Sequence, residues 1–153
     1  MTPHFSGYFL NPIIVKAMLY RSKYVMDIND VYNVFSGSHY QNLILKKVVV
    51  DGVEYKHAFF SDDCNITVRF MLDGFQVFKQ IHGGSTSCWP LILVNFNLNP
   101  NICTHLAHII PLGIIPGPKS PQDFNSFFWP FIDECKLLAI GVHAFDTAAN
   151  EKF

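Results

Sequence analysis

Two aspartates frame the stretch of this chain that could do chemistry. Asp73 closes the apolar run Ile66-Thr-Val-Arg-Phe-Met-Leu72, and Asp146 closes Gly141-Val-His-Ala-Phe145. Each run reads as a strand that finishes on a carboxylate. Between Ile66 and Thr147 the spacing predicts strand, strand, strand, helix, strand. If the last strand lies beside the first and parallel to it, both carboxylates stand at one end of the sheet. Two carboxylates so placed make a site for a divalent metal.

The elements that must position them follow from local signals. Val48-Val-Val50 and Val53-Glu-Tyr55 flank Asp51-Gly52, a pair suited to the positive φ angles of a type I′ hairpin. Trp89-Pro-Leu-Ile-Leu-Val-Asn95-Phe96 is a nearly continuous apolar run, as expected of a strand buried on both faces. Pro90 belongs at its start, because proline donates nothing to the ladder. Leu112 to Ile115 is a third strand, stopped by Pro116-Gly117-Pro118. The loop 82–87 matches no phosphate-binding spacing and reads as a hairpin turn. Ser120 fits the N-cap of the helix that follows, Pro121 its first position and Asp123 its first turn. Phe124, Phe127, Phe128, Phe131, Cys135 and Leu138 then form an apolar stripe, which Gly141 ends. Three strands joined by short turns form an antiparallel meander, and a helical crossover returns the fourth strand parallel to one of them.

Ahead of this lies a helical and hairpin segment over residues 1–60. Residues 1–11 show no period. Pro12 opens a helix to about Met26, Asp30 caps a shorter one through Phe35, and Tyr40 to Leu45 forms another helical turn. The whole is an α/β chain.

Composition narrows the function. The chain has 153 residues, half of them apolar, with 15% charged and a net charge of −1. A charged fraction so far below the usual quarter suggests a partner or missing sequence. A basic excess, the mark of strong nucleic-acid binders, is absent. Cys64, Cys88, Cys103 and Cys135 stand far apart without a Cys-x-x-Cys pair, so reduced thiols are the expectation and a zinc site is not. No signal peptide fits, which predicts an intracellular chain, and no apolar run is long enough to span a membrane. The scattered histidines read as structural or solvent-facing. His143 falls on the opposite strand face from Asp146.

Six segments carry a resemblance. Met18-Leu-Tyr-Arg21-Ser-Lys-Tyr24, Val34-Phe35-Ser36-Gly37-Ser-His39-Tyr40, Leu72-Asp73-Gly74-Phe75, Cys88-Trp89-Pro90 through Leu98, Ile115-Pro116-Gly117-Pro118-Lys119 and Phe145-Asp146 stand in order over most of the chain. Together they resemble the transposase of CACTA-type (En/Spm-like) DNA transposons, in a form closest to fungal copies. The resemblance implies a nuclear cut-and-paste transposase acting on transposon DNA, alone or with other transposase chains. It also implies a partial ribonuclease H-like domain over residues 61–153. Asp73 and Asp146 would then be the first two carboxylates of a DDE triad holding Mg²⁺ or Mn²⁺. Two such ions about 4 Å apart can activate the attacking oxygen and stabilise the leaving oxygen in phosphodiester cleavage. The third acid of this family is a Glu on a helix beyond Asp146. Glu151 stands too close behind the strand and reads as a solvated tail residue. Lys119, after the Pro-Gly-Pro turn, is a candidate phosphate contact. The sequence departs from the family at Leu72, where a small polar or acidic residue usually precedes Asp-Gly, and at Ser36, where an aspartate is usual. The cysteine-rich sequence of longer members is also absent. These departures fit a truncated or decayed copy, whose alternative role is a non-catalytic module that pairs with other transposase chains.

Overall fold

One strand, apolar on both faces, centres the molecule. In the computed structural model, which describes residues 1–27, 33–78, 86–117, 119 and 121–153, β5 (Thr86–Asn95) pairs on both sides. On one side run β3 (Val68–Leu72) and β4 (Phe75–Phe78), and on the other β6 (Ile109–Pro116), all antiparallel to it. This is the expected meander. Leu93 and Val94 point to opposite faces and are 0% and 3% exposed, as the unbroken apolar run requires.

The hairpin forms where expected, between β1 (Lys47–Val50) and β2 (Val53–Ala58). Asp51 and Gly52 both take positive φ, at 48° and 84°, which matches the type I′ geometry. The crossover helix α5 (Asn125–Ile140) lays Phe128 and Phe131 against Phe70, and Phe124 at its N-cap lies against Trp89. Gly141 ends it at φ 114°. The hairpin docks on the C-terminal half of α5. Lys136 Nζ lies 2.8 Å from Asp51, and the His57 ring nitrogen Nε2 lies 2.9 Å from the Ala139 carbonyl.

Several expectations are corrected. Residues 1–11 are not irregular, because α1 (Thr2–Phe9) buries Phe5, Tyr8 and Phe9 at helical spacing. The next helix, α2 (Pro12–Met18), is shorter than expected and capped by Asn11, whose side chain accepts from Ile13 N and Ile14 N. Phe35 lies in a single 3₁₀ turn, followed by α3 (Ser38–Leu43). α4 (Pro100–Cys103) turns the chain from β5 towards β6. α5 starts four residues later than Pro121, and Asp123 Oδ1 accepts from Asn125 N there. The expected caps Asp30 and Ser120, and most of the 82–87 turn, lie outside the described residues.

The largest correction concerns the strand after α5. β7 (Phe145–Asp146) pairs antiparallel with β8 (Glu151–Lys152), and no parallel pairing with β3 forms among the described residues. The cause is local. Asp146 Oδ1 accepts from Ala148 N and Ala149 N, and Asn150 takes φ 59°, so the chain reverses at once. Glu151, expected in a solvated tail, is exposed but occupies β8.

The start of α1 is held by a distant carboxylate. Glu134 on α5 accepts from Thr2 N at 2.8 Å and from Thr2 Oγ1 at 3.0 Å. The Thr2 N–H bond holds its carboxyl below the usual value of 4.5, against an opposing effect of burial. A carboxylate with a lowered folded pKa stabilises above the unfolded value, and that stability is lost as pH falls through the folded value. The melting temperature should therefore drop on acidification below pH 4.5, and Glu134→Gln should flatten that drop. Thermal melts of both proteins across acid pH check this. Parallel curves would refute it.

Candidate functional site at the end of β3

Three of the sequence motifs converge where β3 gives way to β4. Leu72 pairs with Leu91 and Phe75 with Cys88, so the register runs on unbroken and sets Asp73 opposite Pro90 and Gly74 opposite Trp89. Phe96 N donates to the Thr67 carbonyl at 2.9 Å. Hydrogen-bonded pairs alternate along an antiparallel ladder, so Asp73 and Pro90 fall on a bonded position. Pro90 has no N–H to give. The ladder opens there, and Asp73 and Gly74 fall between the two strands. On the far side of β5, Cys88 pairs with Pro116, and Gly117 N donates to the Ser87 carbonyl at 2.9 Å. The Leu-Asp-Gly, Cys-Trp-Pro and Pro-Gly motifs thus gather at the end of β3 that leads into β4, along the first half of β5. Lys119, exposed, follows just beyond. Two strand spacings, roughly 10 Å, separate the β3–β4 line from β6.

Asp73 is exposed, and alternation puts its side chain on the face with Arg69, Met71 and Phe75, all of them exposed. Gly74 and Trp89 belong to the other face, which α5 covers through Phe124.

Asp146 stands elsewhere. It is 7% exposed, and its negative charge helps to push the Cys64 thiol up to about 12, behind the larger effects of burial and of Asp62. Cys64 precedes β3, whereas Asp73 follows it. β3 has five residues, so it separates the two ends by roughly 16 Å. The structure therefore does not bring Asp73 and Asp146 together. His143 is exposed and stands before β7, not on it, so the expected opposition of the two on one strand does not arise; Asp146 is buried. No group of three His, Cys, Asp or Glu side chains among the described residues could hold a metal ion. The four cysteines are free thiols.

A family model described as transposase family tnp2 matches residues 49–153, more than two thirds of the chain. The chain belongs to this transposase family. The matched region of this tnp2-family chain holds all but the first two residues of the hairpin, together with the meander, α5 and both aspartates. No curated protein and no solved structure matches it.

The sequence placed Asp73 at the end of a strand, where it stands, but did not reveal that Pro90 lies opposite it, since that partner is fixed only by register. Among the described residues of the tnp2-family chain, no helix is long and apolar enough to cross a membrane.

Proposed function

We propose that this chain acts on transposon DNA in the nucleus as part of a CACTA-type cut-and-paste transposase, and that the end of β3 carrying Asp73 faces the DNA. The observation that carries this reading is the convergence of three motifs at that end in a chain of transposase family membership. The DDE-type centre of a ribonuclease H-like fold needs its carboxylates around Mg²⁺ or Mn²⁺. The residues present do not fit that group in this arrangement. Asp73 lies at one end of β3, while Asp146 lies towards the other, its Oδ1 accepting from two backbone N–H groups.

DNA contact can be tested without one. Lys119, exposed beyond β6, contributes a cation to the phosphate backbone, while Asp73 contributes a like charge that repels it. Lys119→Ala should weaken duplex binding across all sequences and reduce the salt slope by about 1. Asp73→Asn should tighten binding, and Asp146→Asn should leave it unchanged. Fluorescence anisotropy with a labelled duplex over a salt series reads all three. Equal responses to Asp73→Asn and Asp146→Asn would refute a DNA-facing Asp73.

A second reading, pairing with another transposase chain, has its own support. β3 pairs only with β5 among the described residues, so its outer edge is open. That edge borders a cleft of about 1300 Å³ lined by Ile66, Val68, Phe96, Leu138 and Val142. Open strand edges accept strands from other chains.

A further inference from the structure

We infer that Trp89 is a positioning residue that fixes the backbone at Asp73 by wedging its indole between Gly74 and α5. This rests on the proposed role of Asp73 at the DNA-facing end. The indole fills the space a side chain at position 74 would need. A Cβ on Gly74 would lie 2.9 Å from Trp89 Cζ2 and 3.0 Å from both Cε2 and Cη2. Trp89 and Gly74 are cross-strand neighbours at a non-bonded position, where side chains approach most closely. Behind the indole stands Phe124, edge-on at 6.0 Å and 74°. Phe124 in turn stacks on Phe128, 6.1 Å away, which packs on Phe70 of β3. A continuous aromatic line thus joins α5 to the residue beside Asp73.

Two features say that the wedge does more than fill space. First, the ladder holds Asp73 less than its neighbours, because Pro90 stands at the bonded position opposite and lacks the N–H. The chain there needs another restraint, and Trp89 on Gly74 is the contact at that position. Second, Trp89 Nε1 is buried with no hydrogen-bond partner among the described residues. An orphaned buried N–H costs free energy that a phenylalanine would avoid. Reach is what the indole has and phenylalanine lacks: Cζ2 and Cη2, two of the three atoms against Gly74, belong to its outer ring.

The test uses the intact chain with ¹³C-labelled aspartate, hydrogen exchange and thermal unfolding. Trp89→Phe should move or broaden the Asp73 ¹³Cγ resonance and speed amide exchange at Asp73 and Gly74 about tenfold, a local loss of protection. The Asp146 resonance and exchange at Phe70 and Leu93 should stay as in the wild type. Gly74→Ala should disturb the same signals, and adding Trp89→Val should relieve that disturbance by removing the clash. If Trp89→Phe does not fold, Phe124→Leu, which withdraws only the support behind the indole, should give the same local pattern at smaller amplitude. Unchanged Asp73 signals in a folded Trp89→Phe protein, or equal changes at Asp73 and Asp146, would overturn the inference. The DNA reading fails separately: if Trp89→Phe moves Asp73 while Asp73→Asn leaves DNA affinity unchanged, the positioning stands and the DNA-facing role does not.

Discussion

Arg21→Ala is expected to lower the stability of the fold by about 3 kcal/mol, the cost of stripping a charged hub from buried acceptors. Arg21 is 6% exposed. Its Nε donates to the Asn65 carbonyl at 3.0 Å, and Nη1 to the Phe60 carbonyl at 3.2 Å and to Tyr40 Oη at 3.3 Å. Nη2 donates to the Asp62 carbonyl, and the guanidinium lies over the Phe60 ring. One side chain therefore ties the loop before β3 to the turn after α2 and to α3. Carbonyl dipoles surround the cation, so alanine would leave buried acceptors without donors as well as a void. Lysine keeps the charge but cannot reproduce the planar fork of donors, so Arg21→Lys should recover less than half of the loss. Denaturant unfolding of both variants checks this. A midpoint for Arg21→Ala within the error of the wild type would show that the loop holds itself.

Gly117→Ala is expected to cost a similar amount, about 3 kcal/mol, because overpacking here meets the Ser87 backbone as well as its hydroxyl. A Cβ at this position would lie 2.2 Å from the Ser87 carbonyl oxygen and 2.7 Å from its carbon. Either β5 or β6 must shift, and the 2.9 Å bond from Gly117 N to Ser87 O goes with it. Because Ser87 is two residues from Trp89, the damage should spread to the Asp73 end. Hydrogen exchange should rise at Ser87, Trp89 and Gly74 while the β1–β2 hairpin stays protected. A cooperative melt at the wild-type temperature would mean that the close approach is relaxed in solution.

Much of the fold was legible because its signals are local. Asp51-Gly52 between β-branched residues gave the hairpin, the run from Trp89 to Phe96 gave the central strand, and the Phe stripe gave α5. What escaped depends on contacts that no local pattern contains. α1 has only three apolar residues at helical spacing, and its first turn is held by Glu134, 132 residues away. The strand expected from Val142 was read from its apolar residues alone. The turn chemistry of Asp146-Thr-Ala-Ala-Asn150 outweighs them, folding the chain onto Glu151 and Lys152.

The site was legible in part for the same reason. That Asp73 closes a strand was legible from the apolar run before it. The pairing of Asp73 with Asp146 assumed a parallel strand that this arrangement does not form. The roles of Pro90 and Trp89 could not be read from spacing, since each acts across a ladder whose register only the structure fixes.

Hydrogen exchange of the chain with and without a DNA duplex tests the DNA-facing end most directly. Protection on DNA binding is expected at Asp73, Gly74 and Phe75, at Ser87 to Trp89, and at Gly117 and Lys119, with none at β7 and β8. Protection confined to the turn around Asp146, with Asp73 unchanged, would contradict it.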